Sequence, residues 1–166
     1  MPLNSPCKPD ATGSGEPVAS STSNRPALRV LLVDDHLLVR CRTREQLEEI
    51  PNLQVVGEGV DGFEAVALTR TLSPDLVLMD ICMPGLDGLE ATRRITAEFP
   101  RVRVMMLSSF AEESFRKSAL AAGAHGYLVK GESTQSLAAA IQRVFASSYS
   151  AGPALEPGKA ARSSSR

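Results

Sequence analysis

Residues 76–88 read LVLMDICMPGLDG. The four apolar residues from Leu76 to Met79 are too short a run for a helix and suit a buried strand. The run stops on one carboxylate, Asp80, and turns at once through Pro84, Gly85 and Gly88. Burying an acid is costly without partners, so such a strand must deliver Asp80 to a place where other polar groups meet it.

Working outward, short apolar runs alternate with helical segments. ALRVLLV, LQVVGE, DLVLM, RVRVMML and GYLV read as strands. HLLVRCRTREQLEEI, DGFEAVALTRTL, LDGLEATRRITAEF, EESFRKSALAAG and STQSLAAAIQRVF read as helices, the last with Leu137, Ile141, Val144 and Phe145 on one face. The pattern is (βα)5, an α/β domain whose right-handed crossovers give a doubly wound parallel sheet covered on both faces. Asp61 with Glu64 resembles a capping box opening the second helix, and Gly123 closes the fourth. The first helix has a stripe of Val39, Thr43, Leu47 and Ile50, diluted by Arg42 and Gln46, which predicts looser packing.

Pro, Ser, Gly and Asn dominate residues 1–27, which are expected to form a disordered arm; residues 148–166 read as a similar tail, leaving a folded domain over 28–147. The chain of 166 residues is 43% hydrophobic and 22% charged, with a formal net charge of -1. That balance gives no bulk electrostatic reason to bind nucleic acid or an anionic membrane. Cys7, Cys41 and Cys82 have no metal or disulfide spacing, and neither a signal peptide nor a membrane span is evident; a reducing, cytoplasmic setting is expected.

In open parallel sheets, ligands bind beyond the carboxyl ends of the strands. The first strand ends at Asp34 and Asp35, the third at Asp80, the fourth at Ser108 and Ser109, and the fifth at Lys130. Singly, each is an ordinary turn residue, N-cap or solvated lysine. Together they place three carboxylates, a hydroxyl and an ammonium on one edge. Three carboxylates repel, and a divalent cation relieves the repulsion; hard oxygen donors with few protein contacts suit Mg2+. A carboxylate beside that ion can attack phosphorus and form an acyl phosphate.

The segments LLVDDH, PDLVLMDICMPGLDGLEATRRI, VMMLSS and AAGAHGYLVK resemble a response-regulator receiver domain of the NarL/FixJ flavour, from about Leu28 to Phe145. The resemblance implies a flavodoxin-like strand order of 2-1-3-4-5 and a phosphorylation-dependent switch in a two-component phosphorelay. It implies Asp80 as phosphoacceptor, Asp35 with Asp34 behind it as the Mg2+-binding acids, and the backbone carbonyl of Cys82 as a further ligand. Ser108 matches the switch hydroxyl, Tyr127 the aromatic that turns with it, and Lys130 the phosphate-contacting lysine. Expected partners are a histidine kinase or phosphotransfer protein upstream, and a protein partner or second copy downstream. The resemblance further implies a domain that catalyses only its own phosphoryl transfer and slow dephosphorylation, and no DNA-binding domain is expected after residue 147. Cys82 and Phe110, two residues beyond Asp80 and Ser108, orient water poorly, which predicts slow loss of phosphate.

Two other readings compete. GEGVDG, residues 57–62, fits the dinucleotide-binding pattern through Gly57, Gly59 and Gly62, with Asp80 ending the next strand where a ribose-binding acid would lie. That reading leaves Asp34, Asp35, Ser108 and Lys130 unused and sets Glu58 and Asp61 near a pyrophosphate. The other is a receiver-like module that binds partners without phosphorylation. His36 and His125 read as too isolated to form a metal site, His36 being a helix-start residue; Cys82 reads as a pocket-wall residue, and the arginines of TRRITAEFPRVR as a solvated face.

Overall fold

A computed structural model describes residues 26–146. The expected arm and tail fall almost entirely outside them. Five strands, β1 (Leu28–Val33), β2 (Leu53–Gly59), β3 (Leu76–Asp80), β4 (Arg103–Ser108) and β5 (Gly126–Val129), alternate with α1 (Leu37–Glu48), α2 (Gly62–Leu72), α3 (Gly88–Glu98), α4 (Glu113–Ala121) and α5 (Thr134–Ala146). All strand pairs are parallel, in the order β2-β1-β3-β4-β5. The expected fold is the observed one.

Strand alternation divides the core between the two faces. Leu31, Val33, Val77, Met79, Val104 and Met106 face Ala65, Ala91, Ile95 and Ala119 of α2, α3 and α4. Val30, Leu32, Leu76, Leu78, Met105 and Leu107 face Leu47 of α1 and Leu137, Ile141 and Val144 of α5. Every residue of β3 is buried, as befits a central strand covered on both sides.

Local chemistry sets the helix ends. Asp61 Oδ1 accepts from Glu64 N–H at 2.8 Å, while the Glu64 carboxylate reaches Val60 N–H at 3.0 Å, one residue before the expected partner of a capping box. Asp87 caps α3 in the same way, through Glu90 N–H at 2.8 Å. Gly123 follows α4 with φ +97°, a left-handed conformation that favours glycine.

On α1, Thr43 and Leu47 are buried and Val39 half-buried, and Ile50, just beyond the helix end, is half-buried too, as the stripe implies. Polar ties supplement this thin apolar seam. Arg40 and Arg44 both bond Glu58 on β2, Gln46 donates to the carbonyl of Glu132, and Thr134 bonds Glu49.

Candidate functional site

The order β2-β1-β3 makes the chain switch faces between β1 and β3, so Asp34 and Asp35 after β1 face Asp80 at the end of β3 across the switch point. Ser108 ends β4 and Lys130 follows β5 on the same edge, tied by Lys130 N–H to the Ser108 carbonyl at 2.7 Å. Asp34, Asp35, Asp80, Ser108 and Lys130 lie together at this edge.

A glycine fixes the main chain under Asp80. A Cβ on Gly88 would stand 1.9 Å from the Asp80 carbonyl oxygen, and Gly88 N–H donates to the Ile81 carbonyl at 2.9 Å. Gly85, with φ +76°, makes the preceding turn. The turn in LVLMDICMPGLDG therefore lets the start of α3 press against the strand end that carries the acid.

Lys130 Nζ lies 2.6 Å from Asp34 Oδ2 and 3.0 Å from Asp80 Oδ1. Asp80 Oδ1 also accepts Ile81 N–H at 2.8 Å. Oδ2 of Asp80 makes no hydrogen bond among the described residues, and no unpartnered side-chain oxygen there is sealed from solvent. One oxygen is anchored and the other is open. Asp34 has no such opening: Oδ1 accepts His36 N–H at 2.9 Å and Oδ2 holds Lys130. Among the described residues, Asp35, a quarter exposed, bonds His36 Nδ1 alone, through Oδ1 at 2.8 Å.

Burial lifts the Asp80 carboxyl above its usual range despite the pull of Lys130, and the charge of Asp34 adds to the rise. Burial works against the Lys130 ammonium, but Asp34 and Asp80 outweigh it and hold its pKa above the usual value. The donor chemistry fits Mg2+: one ligand atom each from Asp34, Asp35, His36 and Asp80 lies within 4.8 Å of the rest, and the carboxylates outnumber the one ammonium among them.

Ser108 is buried, and its Oγ accepts from Phe110 N–H at 3.1 Å rather than bonding Asp80. The Tyr127 hydroxyl donates to the Phe110 carbonyl at 2.6 Å, and the Phe110 ring stacks on Phe115 with centroids 4.4 Å apart. Phe110 is thus gripped at its N–H by one expected switch residue and at its carbonyl by the other. The grip by Tyr127 depends on β5 lying beside β4 and has no local signal in the sequence, whereas the grip by Ser108 is a local bond between residues two apart.

The glycines of GEGVDG take no part in the edge. β2 is an outer strand, separated from β3 by β1, so Asp80 does not neighbour that turn, and the turn does not lie at the switch point. Asp61 and Glu64 occupy N–H groups at the start of α2, where a pyrophosphate would sit. Glu58 carries less weight against that reading than the sequence implied. Although burial opposes ionisation, bonds from Arg44 and Arg40 hold its carboxyl below the usual range and compensate its charge.

Two details add to the sequence reading. Cys82 is exposed. His36 joins the acidic cluster and is not isolated. Arg93 and Arg94 pair with Glu90 on the exposed face of α3, as a solvated face should.

Residues 30–142 match the model of the response regulator receiver domain. The chain belongs to that family. It is 44% identical over 119 residues to the response regulator GacA of Pseudomonas viridiflava, covering 72% of this chain and 56% of that protein. It is 46% identical over 118 residues to the response regulator UvrY of Escherichia coli K12, covering 71% and 54%. The chain therefore spans about half the length of the curated relatives it matches. The signal receiver domain of the putative response regulator NarL from Mycobacterium tuberculosis superposes with a TM-score of 0.68 at 31% identity, covering 71% of this chain and 95% of that one. Receiver domains are phosphorylation-dependent signalling modules of two-component systems. Among the described residues, no helix is long and apolar enough to cross a membrane.

Proposed function

We propose that Asp80 accepts a phosphoryl group from a phosphohistidine on a histidine kinase or phosphotransfer protein, or from a small acyl phosphate, in a cytoplasmic phosphorelay. The observation that carries this is the asymmetry of its carboxylate: Oδ1 is held by Ile81 N–H and Lys130, while Oδ2 is left open. Oδ2 forms the new P–O bond as the donor's P–N or P–O bond breaks, and the bonding pair leaves with the donor. Asp35, the Asp80 carboxylate and the carbonyl of Cys82 would hold Mg2+, with Asp34 behind them; when bound, the ion neutralises charge on the phosphoryl oxygens.

Lys130 already bridges Asp34 and Asp80, and its ammonium offsets the charge that the phosphoryl group brings. Ser108 Oγ is the acceptor of Phe110 N–H and keeps its own proton to donate; a turn of the side chain towards a phosphoryl oxygen frees one of the two grips on the β4–α4 loop. The space that Ser108 leaves lets Tyr127 turn inward and release the other. The surface of α4, β5 and α5 then changes for a downstream protein partner or a second copy of the chain.

Beryllofluoride with Mg2+ tests this reading by NMR. Amide resonances of Ser108, Phe110, Tyr127 and Lys130 should shift in the wild type and stay still in Asp80→Ala. Identical spectra from the two proteins would refute it.

A further inference from the structure

Arg40 Nη1 donates to the carbonyl oxygen of Asp34 at 2.7 Å, and its Nε donates to Glu58 Oε2 at 2.9 Å. The side chain is 11% exposed, so its charge is drawn largely out of water and depends on these partners. A planar guanidinium holds both donors in a fixed fork, which a lysine ammonium cannot reproduce. Arg40 lies near the start of α1, while Glu58 lies on β2. The guanidinium therefore joins an outer strand to the loop that carries the acids.

That loop is held to β2 on both sides of Asp34. Asp34 N–H donates to the Gly59 carbonyl at 3.1 Å, and the Asp34 carbonyl reaches Glu58 through Arg40. This carbonyl belongs to the peptide that leads into Asp35. Because a peptide bond is planar, fixing the oxygen also fixes the nitrogen and Cα of Asp35. The Asp35 carboxylate itself bonds only the exposed His36 ring among the described residues, so its place is set by the main chain beneath it.

We propose that Arg40, anchored by Glu58, is a positioning residue that sets the Asp34–Asp35 peptide and so presents the Asp35 carboxylate to Mg2+. The inference rests on reading the acidic edge as the Mg2+ site. It makes Glu58, the acid inside GEGVDG, a support of that edge from the neighbouring strand.

Arg44 separates this role from charge alone. It pairs with Glu58 and with Glu48 but makes no hydrogen bond to the β1–α1 loop among the described residues. Arg40→Met and Arg44→Met each remove one positive charge and one bond to Glu58; only the first releases the Asp34 carbonyl. In the metal-free full chain, the Asp35 amide resonance should move in Arg40→Met and hold its place in Arg44→Met, with the β3 and β4 amides unshifted in both. By calorimetry, Arg40→Met should weaken Mg2+ binding about tenfold, as loss of a group that orients a metal ligand does, and Arg44→Met by less than about twofold. Equal losses in the two variants, or an unmoved Asp35 amide, overturn the proposal. If Arg40→Met does not fold, Arg40→Lys decides: it keeps the charge but not the fork, so a loss of at least about threefold upholds the role and wild-type affinity overturns it. A wild type that binds no Mg2+ refutes the reading of the edge, and this inference with it. A wild type that binds Mg2+ no better than Arg40→Met refutes this inference alone.

Discussion

The phenolic oxygen of Tyr127 lies 2.6 Å from the carbonyl oxygen of Phe110, tying β5 to the loop that leads into α4. Ser108 Oγ holds the N–H of the same residue at 3.1 Å. Tyr127→Phe should cost about 1 kcal/mol in urea unfolding, the usual net worth of one hydrogen bond. It should also uncouple α4 from the site: beryllofluoride still shifts Ser108 and Lys130 resonances, but shifts in α4 shrink. Shifts of wild-type size in α4 would place the coupling elsewhere.

Gly88 makes a sharper case. Its absent Cβ leaves room for the Asp80 carbonyl, so Gly88→Ala must move the main chain that carries Asp80. We expect a loss of about 3 kcal/mol from this overpacking, together with weakened Mg2+ binding by calorimetry. Gly131→Ala is the control: it has φ +87° and nothing within 4 Å of a new Cβ. It should cost only the left-handed backbone penalty of about 1–2 kcal/mol. Equal costs for the two substitutions would show that contact with the Asp80 backbone is unimportant.

The Asp80 charge should act against the fold. Burial raises its carboxyl above the unfolded value of 3.8, so the folded state holds the proton more tightly and stability falls as pH rises through that window. Asp80→Asn should therefore be more stable than wild type at neutral pH, by about 1–2 kcal/mol. The difference should narrow as pH drops below the raised pKa and Asp80 becomes neutral. Added Mg2+ should also narrow it, by stabilising the wild type alone. A less stable Asp80→Asn at neutral pH would mean that the Lys130 bridge outweighs the repulsion and burial.

The phosphorylated protein should be long-lived. Cys82 and Phe110 offer no acid or amide side chain to orient an attacking water. The Phe110 ring is further committed to its stack on Phe115. Replacing Phe110 with Glu should shorten the lifetime of phosphorylated Asp80 measured by intact mass. A wild-type lifetime of seconds, or no change in the variant, would contradict this.

Strands and edge residues were legible in the sequence because each depends on a local signal: a short apolar run, then a polar residue where the run stops. Asp34, Asp35, Asp80, Ser108 and Lys130 each end a strand, and a parallel sheet necessarily brings such ends together. The contacts that tune the edge were not legible. The closeness of Gly88 to Asp80 depends on how the turn folds back, and the grip of Tyr127 on Phe110 depends on strand pairing. The pairing of Arg40 and Arg44 with Glu58 joins a helix to an outer strand, and it compensates the charge that seemed to count against the glycines of β2. Asp87 and Glu90 did carry a local cap signal, of the same kind as Asp61 and Glu64, but it was obscured by starting α3 at Leu86. His36 lay beside both acids in sequence, yet only the direction of its ring makes it a fourth donor.

Intact-mass measurement of the full chain with acetyl phosphate tests the central claim most directly. With Mg2+ present, the wild type should gain the mass of one phosphoryl group, mapped to Asp80; without Mg2+, and in Asp80→Ala, it should gain none. An unmodified wild type in Mg2+, or equal modification of Asp80→Ala, would contradict the account.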